Sequence, residues 1–133
     1  MATKRFGTII VPPGVFLSVP EKLAADFLAT HLRWDITFLS PHRCKGAKTP
    51  DVEMNGHWWE IKSPRGKSSR TIENNLRAAL HQSHYIILDL RQMDGRIPTQ
   101  KLVNEAERQF CLTRTLRYLI VITREEKHID FSR

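Results

Sequence analysis

One short stretch, DVEMNGHWWEIK at residues 51–62, restricts the fold of this chain more than any other. At its centre, Asn55 and Gly56 form the residue pair most typical of a two-residue type I′ turn. The residues on either side alternate in character, as they do in strands that bury one face. The stretch therefore predicts a tight β-hairpin in a sheet with a core on one side.

The turn also determines which side chains meet across the hairpin. With Asn55 and Gly56 in the turn, Asp51 lies directly opposite Glu60. Because side chains alternate between the two faces, one face carries apolar residues that we expect in the core: Val52, Met54, Trp59 and Ile61. The other face carries three acids, a tryptophan and a lysine: Asp51, Glu53, Trp58, Glu60 and Lys62.

Two carboxylates that face each other across a sheet repel, because their Cβ atoms are only about 4.5 to 5.5 Å apart. A cation near Asp51 and Glu60 would offset the repulsion, either a divalent ion such as Mg²⁺ or the ammonium group of Lys62. The simpler alternative is that Asp51 starts a strand after Pro50 and that Glu60 is solvated on an open face. The nearby lysine and the basic loops on both sides favour a functional site.

The rest of the chain predicts a mixed α/β (α+β) domain. Apolar spacing and turn residues indicate helices and strands in the order helix, three strands, helix, strand, helix and one or two strands. The helices are expected at 18–33, 71–83 and 99–113, and the strands outside the hairpin at 34–39, 85–90, 116–123 and 128–131. The whole length, 1–133, suits a single domain with an N-terminal arm at 1–17 and a core at 18–133.

The charge balance indicates a polyanionic partner. Lys and Arg outnumber Asp and Glu by 21 to 14, which gives a net charge of +7 and favours nucleic acid. Two basic loops flank the hairpin, and we expect their side chains to contact phosphates: Arg43, Lys45, Lys48, Arg65, Lys67 and Arg70. Trp58 is a candidate for stacking on an unpaired base. Asn75 and Gln82 belong to a polar stripe on the second helix that either borders a site or is ordinary surface.

The remaining features indicate a reducing, cytoplasmic site of action. The only two cysteines, Cys44 and Cys111, are too few for a disulfide framework. The first residues imitate a secretory signal, but Pro12, Pro13 and Gly14 interrupt its apolar part, so we expect an ordered arm. No apolar run approaches the roughly 20 residues that cross a bilayer, and we expect no membrane partner.

The hairpin residues Pro50, Asp51, Glu60 and Lys62 resemble the PD-(D/E)xK nuclease motif, and the predicted element order is similar to the core of that superfamily. The resemblance implies that Asp51 and Glu60 are ligands of Mg²⁺ together with the carbonyl of Ile61. It also implies that Lys62 orients or polarises the attacking water.

A longer run, residues 48–91, resembles the C-terminal tRNase domain of CdiA-type contact-dependent inhibition toxins. The resemblance rests on TPD, on WEIKSP followed by a Gly-Lys-Ser loop, and on a helix that leads to a strand ending in Asp-Leu-Arg. It implies cleavage of transfer RNA, favours Asn75 and Gln82 as site-lining residues, and raises an immunity protein or an elongation factor as a partner.

The same resemblance leaves the mechanism open, because several such toxins have a metal-free fold of the barnase, EndoU, colicin and RelE (BECR) type. In that alternative Lys62, Arg70, Thr71 or a histidine performs the acid, base and oxyanion roles, and the two acids only organise them. Two further alternatives are a metal-dependent DNA endonuclease of restriction or repair type and a non-catalytic nucleic-acid-binding module with a nuclease-like fold.

Overall fold

A computed structural model describes residues 6–40 and 49–133, and these form one seven-stranded mixed sheet with three helices. The strands lie side by side in chain order. They are β1 (Ile9–Ile10), β2 (Ile36–Phe38), β3 (Val52–Met54), β4 (His57–Lys62), β5 (Tyr85–Asp89), β6 (Tyr118–Ile122) and β7 (His128–Ser132). The helices are α1 (Val19–His31), α2 (Arg70–Ala79) and α3 (Thr99–Leu112). The predicted mixed α/β class is confirmed.

Some neighbouring strands of the sheet are parallel and others are antiparallel, and the helices connect the parallel pairs. The pairs β2–β3, β3–β4 and β6–β7 are antiparallel, whereas β1–β2, β4–β5 and β5–β6 are parallel. A parallel neighbour requires a crossover, and α1, α2 and α3 supply the three crossovers. The carboxyl ends of β4 and β5 therefore lie at the same edge of the sheet.

Two apolar cores cover the two faces of the sheet. On one face α1 buries Phe27 and Leu28 against residues of β2, β3 and β4. On the other face α2 and α3 pack on β5 and β6. The four hairpin residues expected in the core, Val52, Met54, Trp59 and Ile61, all belong to the α1 side.

The hairpin has the predicted turn and register. Asn55 and Gly56 have φ angles of 51° and 82°, as a type I′ turn requires, and Met54 pairs with His57. The direct pairing of Asp51 with Glu60 is wrong, because the antiparallel ladder ends where Val52 pairs with Trp59. The amide of Asp51 instead donates to the carbonyl of Trp59 at 3.0 Å.

The start of α1 confirms the predicted cap, while two other elements are shorter than expected. Ser18 Oγ accepts from the amide of Glu21 at 3.2 Å, and the Glu21 carboxylate accepts from the amide of Ser18 at 2.9 Å, which is a capping box. The strand predicted at 34–39 is only Ile36–Phe38, and the helix predicted at 71–83 ends at Ala79.

The N-terminal arm also differs from the prediction, since it supplies the edge strand β1. Two residues are too few to show the alternation that indicates a strand. Gly7 at the start of this segment is required by close packing: a Cβ there would lie 1.9 Å from the carbonyl oxygen of Trp34. Within the described ranges, every helix is too short or too polar to cross a membrane.

Candidate functional site

An open pocket of about 370 Å³ lies where the carboxyl end of β4 meets the first turn of α1 and the side of α2. It contains the acids and the lysine of the hairpin. Its lining residues are Ser18, Pro20, Glu21, Asp51, Glu60, Ile61, Lys62, Ser63 and Asn75. The carboxylates of Asp51 and Glu60 therefore line one pocket, although the two residues do not pair in the ladder.

Asp51 is held at this pocket by the neighbouring strand. Its Oδ2 accepts a hydrogen bond of 2.8 Å from the amide of Ile61. Burial raises the pKa of Asp51 to about 8, against the lowering effect of the Ile61 amide, and the carboxylates of Glu60 and Glu21 raise it further. Asp51 thus holds a proton at neutral pH as long as no cation is close to it.

Glu60 is only 7% exposed. Its Oε2 lies 3.6 Å from the Nζ atom of Lys62, while its Oε1 is buried without a hydrogen-bond partner among the described residues. Burial raises the pKa of Glu60, and the positive charge of Lys62 opposes that rise. A buried carboxylate oxygen with no partner is costly, so this atom is expected to take a cation or a donor that arrives with substrate.

Glu21 is a third carboxylate of the site, and it was not among the site residues predicted from the sequence. It lines the pocket with Asp51, and its carboxylate contributes to the raised pKa of Asp51. Its local pattern accounts fully for a capping role at the start of α1. Thirty positions separate Glu21 from Asp51, and only the fold shows that the two residues are neighbours.

These residues fit a divalent cation. Asp51 and Glu60 offer carboxylate oxygens, one of them unpartnered, and Ile61 lines the same pocket. Within the described ranges, no group of three or more His, Cys, Asp or Glu side chains is arranged as a metal site. A cation here would therefore complete its coordination with water, a backbone carbonyl or substrate oxygens, which is how Mg²⁺ is commonly bound.

Two predicted residues of α2 have different positions relative to the pocket. Asn75 lines it, and its side-chain amide donates to the carbonyl of Thr71 at 2.8 Å. The Thr71 side chain packs against Gly66, where a Cβ would lie 2.6 Å from Thr71 Oγ1. Thr71 is not among the described lining residues, so a direct catalytic role has no geometric support.

Three of the predicted phosphate-binding residues are not part of the described pocket lining. Arg65 and Lys67 are exposed in the segment between β4 and α2, and Arg70 is exposed at the start of α2, beyond the described lining residues Lys62 and Ser63. Lys48 lies outside the described residues, as do Arg43 and Lys45.

Two more predicted residues are not part of the described pocket lining. Trp58 is 55% exposed near the turn end of the hairpin. Gln82 is half-buried in the turn that follows α2. Neither is part of the described lining, so their expected contacts require a substrate that extends well beyond the carboxylates.

Comparison with known proteins identifies the family of this chain. Residues 48–128, which include the hairpin, α2 and α3, match the model of the contact-dependent growth inhibition CdiA C-terminal domain. The chain belongs to this family. The resemblance seen in residues 48–91 is thereby confirmed, and the match extends it through β6 to the start of β7.

A solved structure shows the same fold as this CdiA C-terminal domain. It is a chain of the "CdiA-CT/CdiI toxin and immunity complex from Burkholderia pseudomallei", with 16% sequence identity and a TM-score of 0.66. The alignment covers 96% of this chain and 100% of the other. A comparison with curated proteins gave no significant match.

Proposed function

We propose that this CdiA C-terminal domain is a toxin nuclease that cleaves transfer RNA in the cytoplasm of a target cell. The observation that carries the proposal is the buried, unpartnered oxygen of Glu60 beside Asp51 and Lys62 in an open pocket. Such an arrangement costs stability unless a cation or a hydrogen-bond donor reaches the oxygen, and a bound divalent cation would do so. Family membership supports nuclease activity in general.

The pocket residues have distinct roles in the proposed reaction. Asp51 and Glu60, with the carbonyl of Ile61, would hold Mg²⁺, which supplies Lewis-acid activation of water and of the phosphodiester when it is bound. The Lys62 ammonium is 3.6 Å from Glu60, so it is placed to orient a water molecule and to neutralise charge that develops on the phosphate. These roles correspond to a PD-(D/E)xK mechanism, which we propose in preference to a metal-free BECR mechanism.

The substrate would extend from the pocket along the basic segment after β4. Arg65, Lys67 and Arg70 are exposed there, and cations of this kind supply salt-sensitive affinity for a phosphate backbone without reading sequence. Asn75 borders the pocket, and we propose that it contacts a nucleotide near the cleaved bond. The structural match is to a toxin and immunity complex, and we propose an immunity protein as the neutralising partner here too. An elongation factor as partner is supported only by the family resemblance.

The test is incubation of the purified chain with total tRNA, with and without EDTA, followed by mapping of the product ends. We expect Glu60→Gln and Lys62→Ala to lower cleavage by at least 100-fold, since the first removes a proposed metal ligand and the second removes the group proposed to orient the attacking water. Glu53→Gln is the matched control, because Glu53 is an exposed acid of the same hairpin outside the described pocket lining. It should retain full activity.

The possible results separate the alternatives. Loss of cleavage in EDTA and its return with Mg²⁺ support the metal-dependent mechanism, whereas full activity in chelator supports the BECR type. Nicking of plasmid DNA with intact tRNA would replace the proposal with a DNA endonuclease. RNA binding without cleavage under every metal condition would replace it with a non-catalytic binding module.

A further inference from the structure

Arg91 connects the carboxyl edge of the sheet to the start of α1. It follows β5 in a single turn of 3-10 helix, Leu90–Gln92. Its guanidinium donates to both carboxylate oxygens of Asp89, at 2.9 and 2.8 Å, and to the carbonyl of Leu23 at 3.0 Å. It also lies 5.2 Å from the centre of the Phe27 ring. Asp89 is only 2% exposed, so the pair is anchored in the interior.

The first turn of α1 has little apolar packing of its own. Val19 is 72% exposed and Leu23 is 41% exposed, and the first buried side chain of the helix is Ala24. Glu21, which lines the pocket together with Asp51, lies within this weakly packed turn. A hydrogen bond to the carbonyl of Leu23 is therefore well placed to decide where the turn lies relative to the pocket.

We propose that Arg91 is a positioning residue of the nuclease site, which acts through the carbonyl of Leu23 to keep Glu21 beside Asp51. The catalytic part of this proposal rests on the proposed nuclease function; the structural part does not. Arg91 is outside the described pocket lining, so it acts on the carboxylates only through α1. A bidentate guanidinium that also reaches a third acceptor holds two elements in one relative position, which a flexible ammonium does poorly.

The chain contains a matched control for this arrangement. Asp94 and Arg96 have the same spacing and the same bidentate contact, at 3.1 and 2.8 Å, but the Arg96 side chain is 79% exposed. Among the described residues, the Arg96 side chain forms hydrogen bonds only with Asp94. Arg96→Gln therefore removes an equivalent ion pair without releasing a helix.

The first measurement is amide hydrogen exchange in Arg91→Gln and Arg96→Gln. We expect protection at residues 22–25 to fall by at least 10-fold in Arg91→Gln and to stay unchanged in Arg96→Gln. Because Arg91→Gln leaves Asp89 buried without its cation, the double variant Asp89→Asn/Arg91→Gln is measured as well. It removes both charges, retains the fold and should show the same local loss of protection.

The second measurement is Mg²⁺ binding by calorimetry together with tRNA cleavage as a function of Mg²⁺. Losing a residue that orients metal ligands typically costs about 10- to 100-fold in metal affinity or activity. We expect a loss of that size in Arg91→Gln, with most of the kcat recovered at saturating Mg²⁺ and partial recovery of affinity in Arg91→Lys. Arg96→Gln should match the wild type in both respects.

The outcomes distinguish this proposal from the proposed function. Unchanged exchange at residues 22–25 in both Arg91 variants overturns the positioning role, whether or not the wild type cleaves tRNA. Altered exchange in an Arg91 variant that still binds Mg²⁺ and cleaves like the wild type overturns the link between Arg91 and the site. Altered exchange in a chain whose wild type neither binds Mg²⁺ nor cleaves upholds the helix contact and removes the nuclease assignment.

Discussion

Asp51→Asn is expected to make the metal-free protein more stable at neutral pH and to make its stability less dependent on pH. The pKa of Asp51 is raised from 3.8 to about 8, mainly by burial. Between these two values the folded state keeps a proton on Asp51 that the unfolded state releases. The stabilising contribution of that proton is complete below pH 4 and is lost as the pH rises towards 8. Asparagine has no such proton, and its Oδ1 can still accept from the amide of Ile61.

The size of the effect follows from proton linkage. One proton held only by the folded state changes the free energy of unfolding by about 1.4 kcal/mol per pH unit. From pH 4 to pH 7 the upper bound is thus about 4 kcal/mol, and partial exposure of Asp51 to solvent reduces the expected value to about 2 kcal/mol. Glu60 has a raised pKa as well, so the slope of the variant should be reduced without reaching zero.

The assay is urea unfolding in EDTA at pH 5 and pH 7.5 for the wild type and for Asp51→Asn. Histidines also titrate in this range, so the quantity to compare is the difference between the two proteins at each pH. Asp94→Asn is the control, because Arg96 lowers the pKa of Asp94 and the carboxylate stays ionised throughout. Its effect should be the same at both pH values.

The reasoning would be refuted if the wild type and Asp51→Asn differed by the same amount at pH 5 and pH 7.5. Asp51 would then be ionised in the folded state across this range, and the carboxylates would not hold an extra proton. The argument that a cation neutralises the carboxylates of Asp51 and Glu60 would then lose its main electrostatic support.

Two further predictions concern the metal and the turn. Mg²⁺ should raise the Tm more at pH 8 than at pH 5, because the ion competes with protons for Asp51 and Glu60. Differential scanning calorimetry measures the rise. An equal rise at the two pH values, or a rise in Asp51→Asn equal to that of the wild type, would contradict this prediction. Gly56→Ala should cost about 1 kcal/mol in urea unfolding, because Gly56 has a φ angle of 82°. A Cβ at Gly95 would meet no atom within 4 Å, and the φ angle of Gly95 lies outside the left-handed region. Gly95→Ala is therefore the control, and comparable losses in both variants would argue against the turn strain.

The hairpin was predictable because its determinants are local. Asn55 and Gly56 favour the positive φ angles of the turn, and the alternation on each side decides which face is buried. The capping box at Ser18 is local in the same sense, since its two hydrogen bonds join residues three positions apart. The end of the ladder at Val52 was not predictable, because the Asp51 carboxylate takes the Ile61 amide in preference to continuing the strand pairing.

The sequence by itself determined the hairpin, the mixed α/β class and the family, and it identified Asp51, Glu60 and Lys62 as members of one candidate site. These features depend on neighbours within about ten positions, where backbone preferences and side-chain alternation are strong. Only the tertiary structure decided that Glu21 joins the carboxylates, that Thr71 faces Gly66 and that Arg91 reaches α1. Such contacts arise when crossovers bring distant segments to one edge of the sheet, and no local pattern records which segments will meet there.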